Sequence, residues 1–323
     1  MTTLSDLLTA FWVSFLAAAV AAPLVMAALR AGRARQTIDP HAPESHQKKQ
    51  GTPTMGGLIV LVGLIAWGFA FPGHWMLLAW LGGFAALGFV DDFVMPKMTG
   101  KRGLGWLPKL GVQVALAACT PALMGLPNTP RNLILAGFGV LFFANAYNFA
   151  DGLDALAGSI GLVHFLAFGA LGVLWLDWAG APALPVHIAG AVAGGLVAFL
   201  FVNAPPARVF MGDTGSMPIG ALMGFLTVGW FAETHIGRLE LGRPTLPLLV
   251  LSLLMVIELV PVPMQVGWFK LSRMRLVPMA PIHHAFEKKG WPESRVVWSF
   301  ALVQMLLAVA ALALAVRDIE GLP

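Results

Sequence analysis

A helix needs about 20 consecutive, mainly apolar residues to cross a bilayer. This chain supplies ten such runs, near 9–29, 54–72, 75–94, 108–126, 132–148, 155–176, 186–203, 216–232, 245–266 and 297–316, and they take up most of its 323 residues. Lipid satisfies no backbone N–H or C=O group, so each run must close its own hydrogen bonds as a helix. The expected fold is all-α: a single polytopic membrane domain over residues 1–323 with about ten transmembrane helices. Only 11% of the residues are charged, against roughly 25% in soluble domains.

The positive charges set an expected orientation. Sixteen of the twenty Lys and Arg residues fall in one set of loops, from Arg30 and Lys49 through Lys97, Lys109 and Arg208 to Lys270, Arg275 and Arg295, while Arg131, Arg238, Arg243 and Arg317 lie on the other side. Positive-inside reasoning places the first set in the cytoplasm and both termini outside. The pI of about 9.5 then reports topology and attraction to anionic lipid or substrate, not nucleic-acid binding. The segment Met1–Asp6 lacks a basic signal-peptide start, so the first run reads as a retained helix. The single cysteine, Cys119, excludes an intrachain disulfide and reads as a small core residue of the fourth span.

Polar islands interrupt the apolar runs, and the chemistry gathers there. The segment HQKKQGTPTMGG (46–57) is a basic loop rich in Gly, Thr and Pro that runs into a helix, and such loops offer backbone N–H groups and lysines to phosphate. Asp91 and Asp92 close a helix that starts near Trp75. At that negative dipole end a carboxylate is disfavoured by about 0.3–1 kcal/mol, so the pair is either solvated or held by a cation, a Mg²⁺ ion or a lysine such as Lys97. Asn148, Asp151 and Asp154 follow at three-residue spacing and would share one helix face as oxygen donors, unless Asp151 only caps a helix. Asp213 stands between glycines in Phe210–Ser216, where close backbone approach to an anion is possible, although no P-loop pattern is present. The Pro278–Pro292 segment carries His283 and His284, whose adjacency does not suit them to chelate a metal from one helix face. Glu258 and Gln265 stand in or at the end of the ninth span, where polar side chains are costly unless they are used or bridge helices. His164 and His187 read as packing histidines.

Taken in order, HQKKQGTPTMGG, Asp91-Asp92, NAYNFADGLDALAGS, NAPPARVFMGDTGS, QVGWFKLS and MAPIHHAFEKKGWPE closely resemble the phospho-N-acetylmuramoyl-pentapeptide transferases, a branch of the polyprenyl-phosphate N-acetylhexosamine-1-phosphate transferases. The resemblance covers nearly the whole chain. It implies transfer of phospho-MurNAc-pentapeptide from UDP-MurNAc-pentapeptide to undecaprenyl phosphate, giving lipid I and UMP, with Mg²⁺, at the cytoplasmic face of the bacterial inner membrane. A homodimer is a further implication. Carried over by position, Asp213 is the implied Mg²⁺ ligand, with Asn148 beside it, and Asp91 and Asp92 act on the lipid phosphate or assist the metal. Asp151 and Asp154 organise the nucleotide-diphosphate site, Lys49 and Asn203 position phosphates, Phe210 lies against uracil, and Gln265, His283 and His284 line the sugar-diphosphate pocket. The chain departs from the family pattern at Ala285, where a third histidine is usual, and at Ala150 and Ala155, which replace a hydroxyl residue and a glycine. A GlcNAc-1-phosphate transferase, a midplane anion transporter and an inactive paralogue, the last motivated by Ala285, are the competing readings; clustering of the acids at span ends argues against the transporter.

Overall fold

The computed structural model describes residues 4–32, 34, 49–100, 103–179, 186–234 and 245–320, so His46–Lys48 and most of the 233–243 segment lie outside the described residues. Among these residues all regular structure is helical. Helices α1 (Leu4–Ala31), α2 (Leu58–Ala70) and α3 (Trp75–Phe89) come first; a single wider π turn, Val90–Val94, then carries α3 into α4 (Met95–Thr99). The chain continues through α5 (Trp106–Ala117), α6 (Thr120–Leu123), α7 (Pro130–Ala150), α8 (Leu156–Ala179), α9 (Val186–Asn203) and α10 (Asp213–Thr234). It closes with α11 (Thr245–Leu251), α12 (Leu253–Leu259), α13 (Pro261–Ser272), α14 (Ile282–Lys288) and α15 (Glu293–Glu320).

Each of the ten apolar runs is helical, but among the described residues seven helices are long and apolar enough to cross a membrane. The differences have local causes. The fourth run breaks at Ala118–Cys119, just before Pro121, which has no N–H to continue the ladder. This break leaves Cys119 exposed, not in the core as expected. The ninth run breaks at Ser252 and again at Val260, where Pro261 starts α13; only Leu253–Ser272 is long enough to span. α2 has 13 residues, and α10 opens on the polar stretch Asp213–Ser216.

Small residues let the central helices touch backbone to backbone. α1 buries Leu7, Ala10, Ser14, Ala18, Ala22 and Met26, a stripe at helical spacing. Its partner α9 carries Gly190 and Gly194, and a Cβ at these positions would collide with the carbonyls of Leu7 and Phe11. On the far side, Gly220 and Gly224 of α10 meet the α7 backbone at Phe143–Ala144 and Gly139–Val140. Lipid supplies no hydrophobic drive between helices, so this close packing holds them together. Large side chains fill the rest of the interior, among them Trp67, Phe84, Tyr147, Phe165, Phe168 and Phe199.

Replacing Gly194 by Ala is expected to lower thermal stability in detergent, since overpacking costs on the order of 1–3 kcal/mol. Gly82→Ala, where a Cβ meets nothing within 4 Å, is the control and leaves the melting temperature unchanged or slightly raised. Equal behaviour of the two variants would remove the α1–α9 seam as a source of stability.

Candidate active site

The π turn decides where the first two acids go. Its wider winding brings neighbouring residues closer in angle than an α-helix does, and the helix continues to Thr99 instead of ending at Asp91-Asp92. The pair therefore does not sit at a carboxyl-terminal pole. Both side chains turn toward the start of α10: Asp91, Asp92 and Asp213 each offer a carboxylate oxygen, all within 4.8 Å of one another, and could hold a metal ion. The cation among them is Lys109, in the first turn of α5, whose Nζ donates to Asp213 and lies 3.4 Å from Asp91. Lys97, the lysine expected there, instead lies over the Phe93 ring at 4.9 Å. Lys109 was legible in principle: a charge inside an apolar run carries the same functional weight whether it is acidic or basic.

Each carboxylate has further fixed donors. Asp92 Oδ2 accepts both the N–H and the hydroxyl of Thr214 at 2.9 Å, and Asp91 Oδ1 accepts the Leu104 N–H at 2.6 Å. Asn148 Nδ2 donates to Asp213 at 2.7 Å and to Ser216 at 2.8 Å. Asp151 accepts the Gly212 N–H at 3.1 Å. The free N–H groups at the start of α10 are thus capped by the protein's own carboxylates, where an external anion was expected. Gly212 makes this possible: its φ is +72° and a Cβ would stand 2.6 Å from both Asp92 Oδ2 and Thr54 Oγ1. The glycines of the GTPTMGG loop are likewise used inside the protein. Gly56 and Gly57 donate to the carbonyls of Phe210 and Met211, and Phe210 N–H donates to Pro53.

Asn148, Asp151 and Asp154 do not share a helix face, because α7 stops at Ala150 and Asp151 becomes its carboxyl-terminal cap. Loss of solvent, followed by the nearby charges of Asp213 and Asp92, pushes the Asp151 carboxyl well above the usual carboxylate range. Asp154 turns the other way. It receives Lys49 Nζ at 2.7 Å and the Ala207 N–H at 3.0 Å, and Glu293 at the start of α15 binds the same lysine at 2.5 Å. Glu293 had no role in the sequence reading; its position directly after Pro292, at a helix start, was the available signal.

The remaining candidates divide. His283 and His284 sit together on α14 with ring centroids 4.1 Å apart, and their Nε2 atoms converge on Gly152. Adjacency thus does not separate them as expected. Asn203 brackets two loops, accepting from Ala155 N–H at 2.9 Å and donating to Val209 C=O at 2.9 Å. Gln265 accepts from the N–H groups of Leu276 and Val277 at 2.9 and 3.0 Å, which ties α13 to the following turn. The Phe210 ring is half-buried. His164 and His187 are packed among aromatic rings.

Residues 74–230 match the family model described as glycosyl transferase family 4, and residues 49–61 match phospho-N-acetylmuramoyl-pentapeptide-transferase signature 1. A curated relative, the phospho-N-acetylmuramoyl-pentapeptide-transferase of Rhodopseudomonas palustris (strain BisA53), is 37% identical over 321 residues, covering 88% of this chain and 85% of the relative. The chain belongs to the phospho-N-acetylmuramoyl-pentapeptide-transferase family. The two family-model matches take in the acidic cluster, Lys109 and the loop that docks against Phe210–Gly212. Within this family the departures gain a physical meaning. Ala285 is buried on α14. Ala155, one of the departures read from the sequence, adopts φ +65°, a conformation that costs an L-residue roughly 1 kcal/mol and that glycine adopts without strain.

Two outcomes follow for this site. Ala155→Gly is expected to raise stability by about 1 kcal/mol, seen as a higher melting temperature; a lower one would contradict the strain. Lys109→Met leaves three carboxylates without their lysine. Its melting temperature should fall in EDTA and be restored by a divalent salt more than that of the parent. An equal fall in both buffers would separate Lys109 from the acidic cluster.

Proposed function

We propose that this chain transfers phospho-MurNAc-pentapeptide from UDP-MurNAc-pentapeptide to undecaprenyl phosphate, as a Mg²⁺-dependent, multi-pass enzyme of the bacterial inner membrane. The reaction joins an oxygen of the lipid phosphate to the sugar-bearing phosphorus of the donor and breaks the bond between the donor's two phosphoryl groups. Its products are lipid I and UMP. The observation that carries this reading is the meeting of Asp91, Asp92 and Asp213 around Lys109 at the ends of apolar helices, in a chain of this family.

The donor set fits a hard divalent cation, since three carboxylate oxygens lie within reach of one ion and Mg²⁺ favours carboxylates together with substrate phosphates. Asp213, Asp91 and Asp92 would hold it, with Asn148 fixing the Asp213 carboxylate. When bound, the ion neutralises charge on the phosphoryl oxygens. Lys109 supplies a second, fixed positive charge at the same place. Lys49 brings a third toward the Asp151–Asp154 turn, where the donor diphosphate would displace it from Asp154 and Glu293. The acceptor is already an anionic oxygen nucleophile, so the protein's main tasks are to gather two anionic substrates and orient them. The bias of Lys and Arg toward one set of loops supports a cytoplasmic site and external termini, and family resemblance supports a homodimer.

Purified protein in detergent, given UDP-MurNAc-pentapeptide, undecaprenyl phosphate and MgCl2, is expected to release UMP, and EDTA should abolish the release. Asp213→Ala should lower turnover by roughly 10²-fold or more. UMP release from UDP-GlcNAc but not from UDP-MurNAc-pentapeptide would assign the chain to the sibling branch.

A further inference from the structure

A carboxylate within a membrane-spanning helix is expensive and marks a use. Glu258 lies in the Leu253–Ser272 span, and both it and His283 are completely buried. Glu258 Oε2 stands 2.7 Å from His283 Nδ1. The pair is nonetheless incomplete: among the described residues, Glu258 Oε1 and His283 Nε2 are buried without a hydrogen-bond partner. Two orphaned polar atoms argue against a purely structural bridge, because an unsatisfied buried group costs on the order of 1–3 kcal/mol and an apolar pair would pack as well.

The direction of the orphaned nitrogen is informative. A Cβ on Gly152 would stand 2.5 Å from His283 Nε2 and 3.1 Å from His284 Nε2, so the missing side chain lets His283 Nε2 face the Asp151–Asp154 turn without a partner among the described residues. His284 is backed in the same way, with Nδ1 2.6 Å from Glu287 Oε2. Asp151 in that turn binds the Gly212 N–H one residue before Asp213. A buried nitrogen with unfilled capacity beside the acidic cluster is placed to meet a group that arrives with substrate.

We propose that Glu258 is a positioning residue of the transfer reaction: it accepts the Nδ1–H of His283, fixes the ring, and turns Nε2–H toward an oxygen of the nucleotide donor's diphosphate. This rests on the transferase reading. The carboxylate balances the second proton of the ring, so that His283 meets the anion as a donor at both nitrogens. Glu258 itself touches no substrate.

The test compares kcat and KM for UDP-MurNAc-pentapeptide, read as UMP release, in the parent, Glu258→Gln, His283→Ala and the double variant, with melting temperatures alongside. Glu258→Gln should lower kcat by about 10²-fold, with KM changed less than about threefold and the melting temperature held or raised. The double variant should be no slower than the slower single, since one residue acts through the other. Near-parental kcat in Glu258→Gln, or losses that multiply in the double variant, would overturn the assignment. If Glu258→Gln does not fold, Glu258→Asp decides in its place: lowered kcat at an unchanged melting temperature supports the role, and unchanged kcat overturns it. A parent that releases no UMP refutes the transferase reading and this proposal with it.

Discussion

Carboxylates that crowd together at the edge of an apolar bundle must be compensated locally, and much of the architecture around the site serves that need. Asp91, Asp92 and Asp213 lie close enough to share one cation, and Asp151 stands near two of them. Water cannot screen such a group as it would on a surface. The compensation comes from Lys109, Asn148, Thr214 and the N–H groups of Leu104 and Gly212. These donors come from α5, α7, the start of α10 and the loops between them. Charge balance therefore ties together elements that apolar packing alone would leave free to slide.

Close backbone approach is the second condition, and it explains why glycine recurs where the acids meet. Gly88 on α3 has no room for a Cβ beside the Asp213–Thr214 backbone, and Gly57 and Gly215 press on one another. The same economy that joins α1 to α9 through Gly190 and Gly194 thus brings α3, α10 and the Thr52–Gly57 loop within hydrogen-bonding range. A side chain at any of these positions would separate the carboxylates from their donors before it touched a substrate.

The sequence made the fold class legible because a membrane leaves so few options: every apolar run became helix. It also exposed most of the acids, since Asp91, Asp92 and Asp213 stand out against an apolar background. Two kinds of information were not local. The helix breaks at Cys119 and Val260 stand beside Pro121 and Pro261, but the break at Ser252 has no proline beside it that would have announced it. Pairing across the chain was also hidden: Lys109 with Asp213 and Lys49 with Glu293 are separated by 104 and 244 residues. A lysine counted as a topology marker and a lysine used in a site look the same until the tertiary structure brings an acid to one of them.

The glycine-rich loops show why motif and mechanism have to be kept apart. A loop of the form GTPTMGG has the parts of a phosphate cradle, yet Gly56 and Gly57 donate to protein carbonyls, and the start of α10 is capped by Asp92 and Asp151. The positive charge available to a diphosphate resides in side chains, namely Lys49 and Lys109, with the histidines over Gly152 beside them. Each of these is already held by a carboxylate. A substrate anion therefore has to compete with Asp154, Glu293 or Asp213 for a lysine. The two lysines differ in what would release them: a cation held by Asp91, Asp92 and Asp213 would loosen Lys109 alone, whereas Lys49 is paired with Asp154 and Glu293, outside that cluster, and would be released only by an anion that replaces them.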